Sequence, residues 1–98
     1  MTTDKNTLIY PVILHPEDDG YCVEIPDINN GTWTQGENLQ DALAMAQDAI
    51  GIMLEDETSY PTASDLNNLV VKDSDIKTSV KINMAEYRKN NHGMVGNL

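Results

Sequence analysis

The segment TLIYPVILHPEDDGYCVEI, residues 7–25, decides the fold. Its first nine residues are dense in β-branched and aromatic side chains, which is typical of a strand covered on much of both faces. Residues 15–20, HPEDDG, have turn chemistry that ends in Asp-Gly. Strict alternation of Tyr21, Val23 and Ile25 with Cys22, Glu24 and Pro26 follows at once. The segment therefore predicts a β-hairpin.

Pro11 limits how the first strand can pair with its neighbours. Proline has no backbone N–H and cannot donate a hydrogen bond to a strand ladder. We therefore expect either that this strand lies at a sheet edge, or that the missing N–H would have faced away from a neighbouring strand.

Two further strands are predicted on either side of a helix. After a glycine-containing turn at residues 27–31, the short β-prone segment 32–34, TWT, is closed by Gly36 and continues an antiparallel meander. Thr78, Val80 and Ile82 alternate with polar residues and predict a fourth strand. Residues 84–89, MAEYRK, can add a short helix. For residues 61–75 we expect an irregular connection with at most one short turn of helix or strand.

The predicted helix follows residue 38. Its apolar residues recur at spacings of four, three, four and three, which is the stripe of an amphipathic helix expected to face the core: Leu39, Leu43, Ala46, Ile50 and then Met53 or Leu54. Asn38 is a good N-cap, and Asp41 can support the amide groups at that end. Gly51 costs about 1 kcal/mol relative to alanine, which a helix held by packing tolerates.

These elements predict an α+β fold in the order β-β-β-α-β, with an optional final helix. It is an antiparallel three-stranded meander with one amphipathic helix and a further strand. Ninety-eight residues suffice for one domain and are too few for two of ordinary size. We expect the domain to span residues 1–89, and residues 90–98, which lack periodicity, to form a flexible tail.

The charge is strongly asymmetric. Sixteen acidic residues against six basic ones give a formal net charge of −10, and no Lys or Arg occurs between Lys5 and Lys72. Such a field repels a phosphate backbone, so we expect no direct nucleic-acid binding. It speeds encounter with a basic protein through long-range steering. The simpler alternative is that the charge only keeps a small protein in solution.

Several cellular and chemical classes are disfavoured. Cys22 is the only cysteine, which precludes an intrachain disulfide and a cysteine-based zinc site and fits a reducing cytoplasm. The N-terminal residues MTTDKNT lack an apolar segment, and nowhere do eighteen apolar residues run together. We expect a cytoplasmic protein without membrane spans, cofactors or metals.

Four segments together resemble the HicB antitoxin family. They lie within residues 10–88 and read YPVILHPEDDGYCVEIPDI, TQGENLQDALAMAQDAI, YPTASDL and VKINMAEYR. In this order they are similar to the family's first hairpin, its turn into an alanine-rich helix, its proline-containing connector, and its last strand leading to a Tyr-Arg pair. The resemblance implies a partial RNase H-like fold. It also implies binding and occlusion of a small, basic, RNA-cleaving toxin of the HicA type.

Two departures from the family pattern matter. Where many relatives have a Leu-Pro-Gly-Cys-like turn, this sequence has Ile28-Asn29-Asn30-Gly31. Relatives usually continue into a C-terminal DNA-binding unit, whereas this sequence ends at Leu98. We therefore expect no DNA-binding domain in this chain and assign it no operator binding.

An RNase H-like fold also suggests carboxylates converging on Mg²⁺, and candidates exist at Asp18, Asp19, Glu24 and Asp27. Three of these lie in turns, and no His or Lys accompanies them at a useful spacing. Cys22 lacks an evident base, and His15 and His92 are isolated from each other in the sequence. We therefore predict that the protein is not an enzyme.

The candidate partner-binding residues fall into three sets. The acidic hairpin contributes Asp18, Asp19 and Glu24, and Trp33 either caps the core or faces outward as an interface anchor. The helix face opposite the apolar stripe contributes the remaining candidates: Gln40, Gln47, Asp48 and Glu55. We expect a homo-oligomer, either a dimer or a tetramer. The alternative function is a stand-alone structural or regulatory module that self-associates through a sheet edge without a toxin.

Overall fold

The computed structural model describes residues 6–89, which form a four-stranded antiparallel sheet with a long helix across one face. The sheet order is β3-β2-β1-β4. The elements in chain order are β1 (Thr7–Glu17), β2 (Gly20–Ile25), β3 (Thr32–Gly36), α1 (Leu39–Leu54), a 3₁₀ turn (Leu66–Asn68), β4 (Ile76–Asn83) and α2 (84–89). The predicted α+β fold is confirmed. None of the helices within residues 6–89 is both long and apolar enough to cross a membrane.

Strand β1 lies in the interior of the sheet, so the edge position considered for Pro11 is wrong. The ladder between β1 and β2 ends at Ile13 opposite Glu24, whereas Pro11 pairs with Ser79 of β4. Alternate residues direct their N–H groups to the same neighbour. Pro11 shares its phase with Ile13, so its missing N–H would have faced the side on which β2 has already ended.

The first hairpin is tighter than the predicted turn over residues 15–20. Pairing continues from Pro16 opposite Tyr21 to Glu17 opposite Gly20. Pro16 is tolerated because the ladder to β4 ends at Leu14, so no bond is lost on that side. Only residues 18 and 19 are left for the turn, and their carboxylates lie at the hairpin tip.

The core lies between α1 and one face of the sheet. The strands contribute Tyr10, Val12, Leu14, Val23, Ile25, Val80 and Ile82, as their alternation predicts, and α1 contributes Ala42, Ala46, Ile50 and Leu54. One member of the predicted stripe is wrong, because Leu39 is 44% exposed. Of the two alternatives for the last position, Leu54 lies in the core and Met53 is 36% exposed. Ala42 replaces Leu39 in the core because the start of α1 lies so close to β3 that a Cβ atom on Gly36 would meet the backbone of Ala42.

Helix α2 ties β4 to the C-terminal half of α1. A Cβ atom on Gly51 would lie 2.5 Å from the Tyr87 ring, so the glycine makes room for that ring. The Tyr87 hydroxyl donates to Asp48 Oδ1 at 3.3 Å, and Arg88 Nε donates to the carbonyl of Glu55 at 3.1 Å. Gly51 is therefore required for packing, beyond being tolerated in the helix.

The connector between α1 and β4 is irregular, as predicted, with one 3₁₀ turn. The Tyr10 hydroxyl donates to the Pro61 carbonyl at 2.6 Å, and burial raises the pKa of this phenol, with smaller contributions from Asp27 and Tyr60. The Asp27 carboxylate accepts from the backbone N–H and the hydroxyl of Ser64 at 2.8 and 2.6 Å. The predicted tail, residues 90–98, lies outside the described residues.

We predict that Gly51→Ala lowers the free energy of unfolding by about 1–3 kcal/mol, because the added methyl group overpacks against the Tyr87 ring. In a Tyr87→Ala background the added methyl group meets no aromatic ring. There the higher helix propensity of alanine stabilises the protein by up to about 1 kcal/mol. Chemical denaturation of the four variants measures this reversal of sign. Stabilisation by Gly51→Ala in the wild-type background would contradict the packing role.

Candidate functional site

An acidic cleft lies between the hairpin tip, the end of β3 and the start of α1. Its volume is about 820 Å³. Tyr21 and Met45 line it together with the carboxylates of Glu17, Asp18, Asp19, Glu37 and Asp41. The predicted candidates Asp18 and Asp19 thus belong to a larger group of carboxylates. Glu37 and Asp41, which follow β3 in the sequence, line the same cleft.

Helix capping fixes the second half of this cleft. The Asn38 Oδ1 atom accepts from the N–H of Asp41 at 2.8 Å, and Asp41 Oδ2 accepts from the N–H of Glu37 at 2.9 Å. This arrangement satisfies amide groups at the helix start and confirms Asn38 as the N-cap. It also holds the carboxylate of Asp41 at the mouth of the cleft, near the positive end of the helix dipole.

An acidic row continues from the cleft along the outside of α1. Asp41, Asp48 and Glu55 follow at intervals of seven residues, which is close to two helical turns. Met45 and Ile52, also seven residues apart, are exposed large apolar side chains on the same helix. Neither residue was predicted from the sequence, although their spacing outside the predicted core stripe is a signal that could have identified them.

The four predicted helix candidates differ in their surroundings. Gln40 is exposed. Gln47 Nε2 donates to the carbonyl of Lys81 at 2.8 Å, which ties α1 to β4. Asp48 accepts from Tyr87 as described, and Glu55 accepts from Arg88 through its backbone carbonyl. Three of the four therefore contact other parts of the same domain.

The remaining candidates, Glu24 and Trp33, lie on the sheet face away from α1. Trp33 is 57% exposed, so the interpretation that it caps the core is wrong. Its ring stacks on that of His15, with centroids 5.3 Å apart and planes 24° from parallel. His15 Nε2 lies 3.1 Å from Glu24 Oε1, and His15 Nδ1 lies 3.1 Å from Asp75 Oδ1. We call these four residues the Trp33 cluster.

His15 and Asp75 were not among the predicted site residues. The hairpin register could have found His15, because it pairs with Cys22 and stands diagonal to Glu24 on the same face. No sequence signal points to Asp75, whose approach to His15 depends on the placement of β4 beside β1. The structure thus distributes the predicted candidates over the cleft, the outer side of α1 and the Trp33 cluster.

The arrangement is poorly suited to nucleophilic or metal chemistry. A hydrogen bond with Glu17 raises the pKa of Cys22, and desolvation and the charge of Glu17 act in the same direction. A thiol of this kind is a weak nucleophile. His15 cannot serve as its base because both ring nitrogens face carboxylates. Among residues 6–89, no group of His, Cys, Asp and Glu side chains is positioned to hold a metal ion.

Comparison with known proteins agrees with these features. The family described as HicB_like antitoxin of bacterial toxin-antitoxin system matches residues 10–94, a range that includes the acidic cleft and the Trp33 cluster. An uncharacterized 14.9 kDa protein in the rep-hol intergenic region of Haemophilus phage HP1 (strain HP1c1) is 30% identical over 67 residues. That stretch covers 64% of this chain, which spans half the length of the phage protein. The chain belongs to the HicB-like antitoxin family.

Proposed function

We propose that this chain binds a small, basic, RNA-cleaving toxin of the HicA type and covers its RNA-binding surface. The observation that carries the proposal is the convergence of carboxylates in the acidic cleft and their continuation along α1. The chain acts by binding and not by catalysis. It acts in the cytoplasm, where such a toxin meets messenger RNA.

Charge complementarity supports this choice of partner. A protein that holds RNA presents Lys and Arg side chains to the phosphate backbone. In the proposed complex, the carboxylates of the cleft occupy the positions at which the toxin would hold phosphates. Met45 and Tyr21 add apolar area within the same cleft, and interface cores generally need such area beside the charges.

One partner can reach both candidate surfaces by wrapping around the edge of β3. Gln35 lines the cleft at the end of β3, and Trp33 lies two residues earlier in the same strand, with its side chain on the sheet face away from α1. A partner that contacts both surfaces therefore crosses the edge of β3. We therefore assign Asp18 and Asp19 to the primary contact, with Gln40, Asp48 and Glu55 beside it. Trp33 and Glu24 form a second contact. Gln47, which bonds to β4, positions α1.

The alternative function is self-association through the edge of β3 without a toxin partner. Within residues 6–89 the sheet ends at this strand, which pairs with β2. Edge strands present backbone groups that can pair with a second copy. In this alternative, the chain forms a dimer or a tetramer through the edge that a toxin would otherwise cover.

We predict that the gene beside this one encodes a small basic protein, and that this chain co-purifies with that protein when the two are co-expressed. At an equimolar ratio of the two proteins, the toxin in the complex should no longer cleave RNA. Failure to co-purify, or a complex that still cleaves RNA, would contradict the proposed function.

The double substitution Asp18→Lys and Asp19→Lys tests the cleft. We expect it to reduce the association rate constant for the toxin by roughly tenfold at low salt and to weaken the salt dependence of that rate. Stopped-flow or surface plasmon resonance measurements at several ionic strengths provide the comparison.

The matched control is Glu57→Lys with Asp73→Lys. Both residues are exposed and lie outside the lining of the cleft, and the pair changes the net charge by the same amount. The control should lower the rate less than the cleft variant does. Equal effects of the two pairs would show that only total charge matters and would remove the cleft from the proposal.

Gln35→Pro tests pairing at the β3 edge. Every second residue of β2 directs its backbone hydrogen bonds toward β3, and those residues pair with Thr32, Thr34 and Gly36. Gln35 lies between these positions, so its N–H points away from the sheet. Proline there should spare the internal ladder and block edge pairing. We expect the oligomer dissociation constant from analytical ultracentrifugation to rise at least about tenfold. An unchanged molar mass would exclude this edge as the oligomer contact.

A further inference from the structure

We propose that His15 is a positioning residue whose imidazole, held by the side chains of Glu24 and Asp75, fixes the outward Trp33 ring for contact with the partner. This inference rests on the proposed function, because it assigns Trp33 a role in toxin binding. Its first step concerns the isolated chain and is tested separately.

The Trp33 cluster joins four separate parts of the domain. His15 lies on β1, Glu24 on β2 and Trp33 on β3, while Asp75 directly precedes β4. The two 3.1 Å contacts approach the imidazole from opposite ring nitrogens. Nε2 forms a hydrogen bond with Glu24, Asp75 Oδ1 lies close to the other ring nitrogen, and Trp33 stacks on the face of the imidazole.

The contacts on its two ring nitrogens resist rotation of the imidazole. Glu24 approaches from β2 and Asp75 from the end of the connector, so two separate segments of the domain hold the ring.

Asp75 is itself held in place. Its side chain is only 7% exposed, and its Oδ2 atom accepts from the N–H of Lys72 at 3.3 Å. The neighbouring groups on this face include Lys77, whose Nζ donates to the Leu69 carbonyl at 3.0 Å, and Cys22, which stands opposite His15 in the ladder.

The consequence for binding is preorganisation of Trp33. The imidazole stacks on one face of the indole, while much of the Trp33 side chain stays open to solvent. An anchor whose rotamer is already set loses less conformational entropy when a partner covers it. Without the His15 clamp, the exposed Trp33 side chain on a short edge strand would sample other rotamers.

Fluorescence of the isolated chain tests the clamp directly, because Trp33 is the only tryptophan. We expect time-resolved fluorescence anisotropy of the wild type to show little local motion of the indole. His15→Gln should increase the amplitude of that motion, Asp75→Asn should increase it less, and the matched control His92→Gln should leave it unchanged.

NMR of the wild-type chain provides a measurement that does not depend on a variant folding. We expect nuclear Overhauser contacts between the His15 imidazole and the Trp33 indole. The absence of these contacts, or indole motion that is unchanged in His15→Gln, would overturn the clamp.

Binding to the small basic protein encoded beside the gene tests the positioning role. We expect His15→Gln to weaken binding roughly two- to tenfold in the wild-type background and to have no effect in a Trp33→Ala background. Equal effects in both backgrounds would overturn the positioning role. If the wild-type chain does not bind that protein, the proposed function fails, while the fluorescence and NMR results still decide the clamp.

Discussion

Strand β1 must pair on both edges and be covered on both faces, and the remaining structure follows from that requirement. Five consecutive residues of this strand, 10–14, are buried. Tyr10, Val12 and Leu14 contact the core beneath α1, whereas Ile13 and His15 point to the opposite face. A slip of one residue in register would exchange these two sets and expose the core residues. The register of β1 therefore determines both where α1 packs and where the Trp33 cluster forms.

Local patterns in the sequence predicted the strands and helices, but they did not predict the distances between these elements. The hairpin, the capped helix, β4 and α2 follow from alternation, helical spacing and Asn38. The exposure of Leu39 does not, because it results from the close approach of α1 to Gly36, and periodicity contains no information about interhelical or helix–sheet distance. Likewise, the sequence predicted an acidic hairpin but not that the helix start would add Glu37 and Asp41 to the same cleft. The contact between His15 and Asp75 depends on the sheet order, which places β4 beside β1.

Strand β3 connects the two surfaces from which function is proposed. It is short, lies at one edge of the described sheet, and presents Trp33 and Gln35 on the face away from α1. The cleft beside it gathers negative charge, and the cluster behind it holds an exposed aromatic ring. Charge accelerates and orients association, whereas a buried aromatic anchor generally contributes more to the lifetime of a complex. A HicB-like antitoxin that must meet its toxin quickly and hold it would use both.

Hydrogen–deuterium exchange of this chain, alone and with the small basic protein encoded beside its gene, tests the central claim most directly. Turn amides at residues 18–21 and the segment 33–41 enclose the cleft and the β3 edge. The account predicts that complex formation slows exchange in both segments and leaves residues 66–75 of the connector unchanged. Slower exchange confined to β4 and α2, with residues 18–21 and 33–41 unaffected, would contradict it.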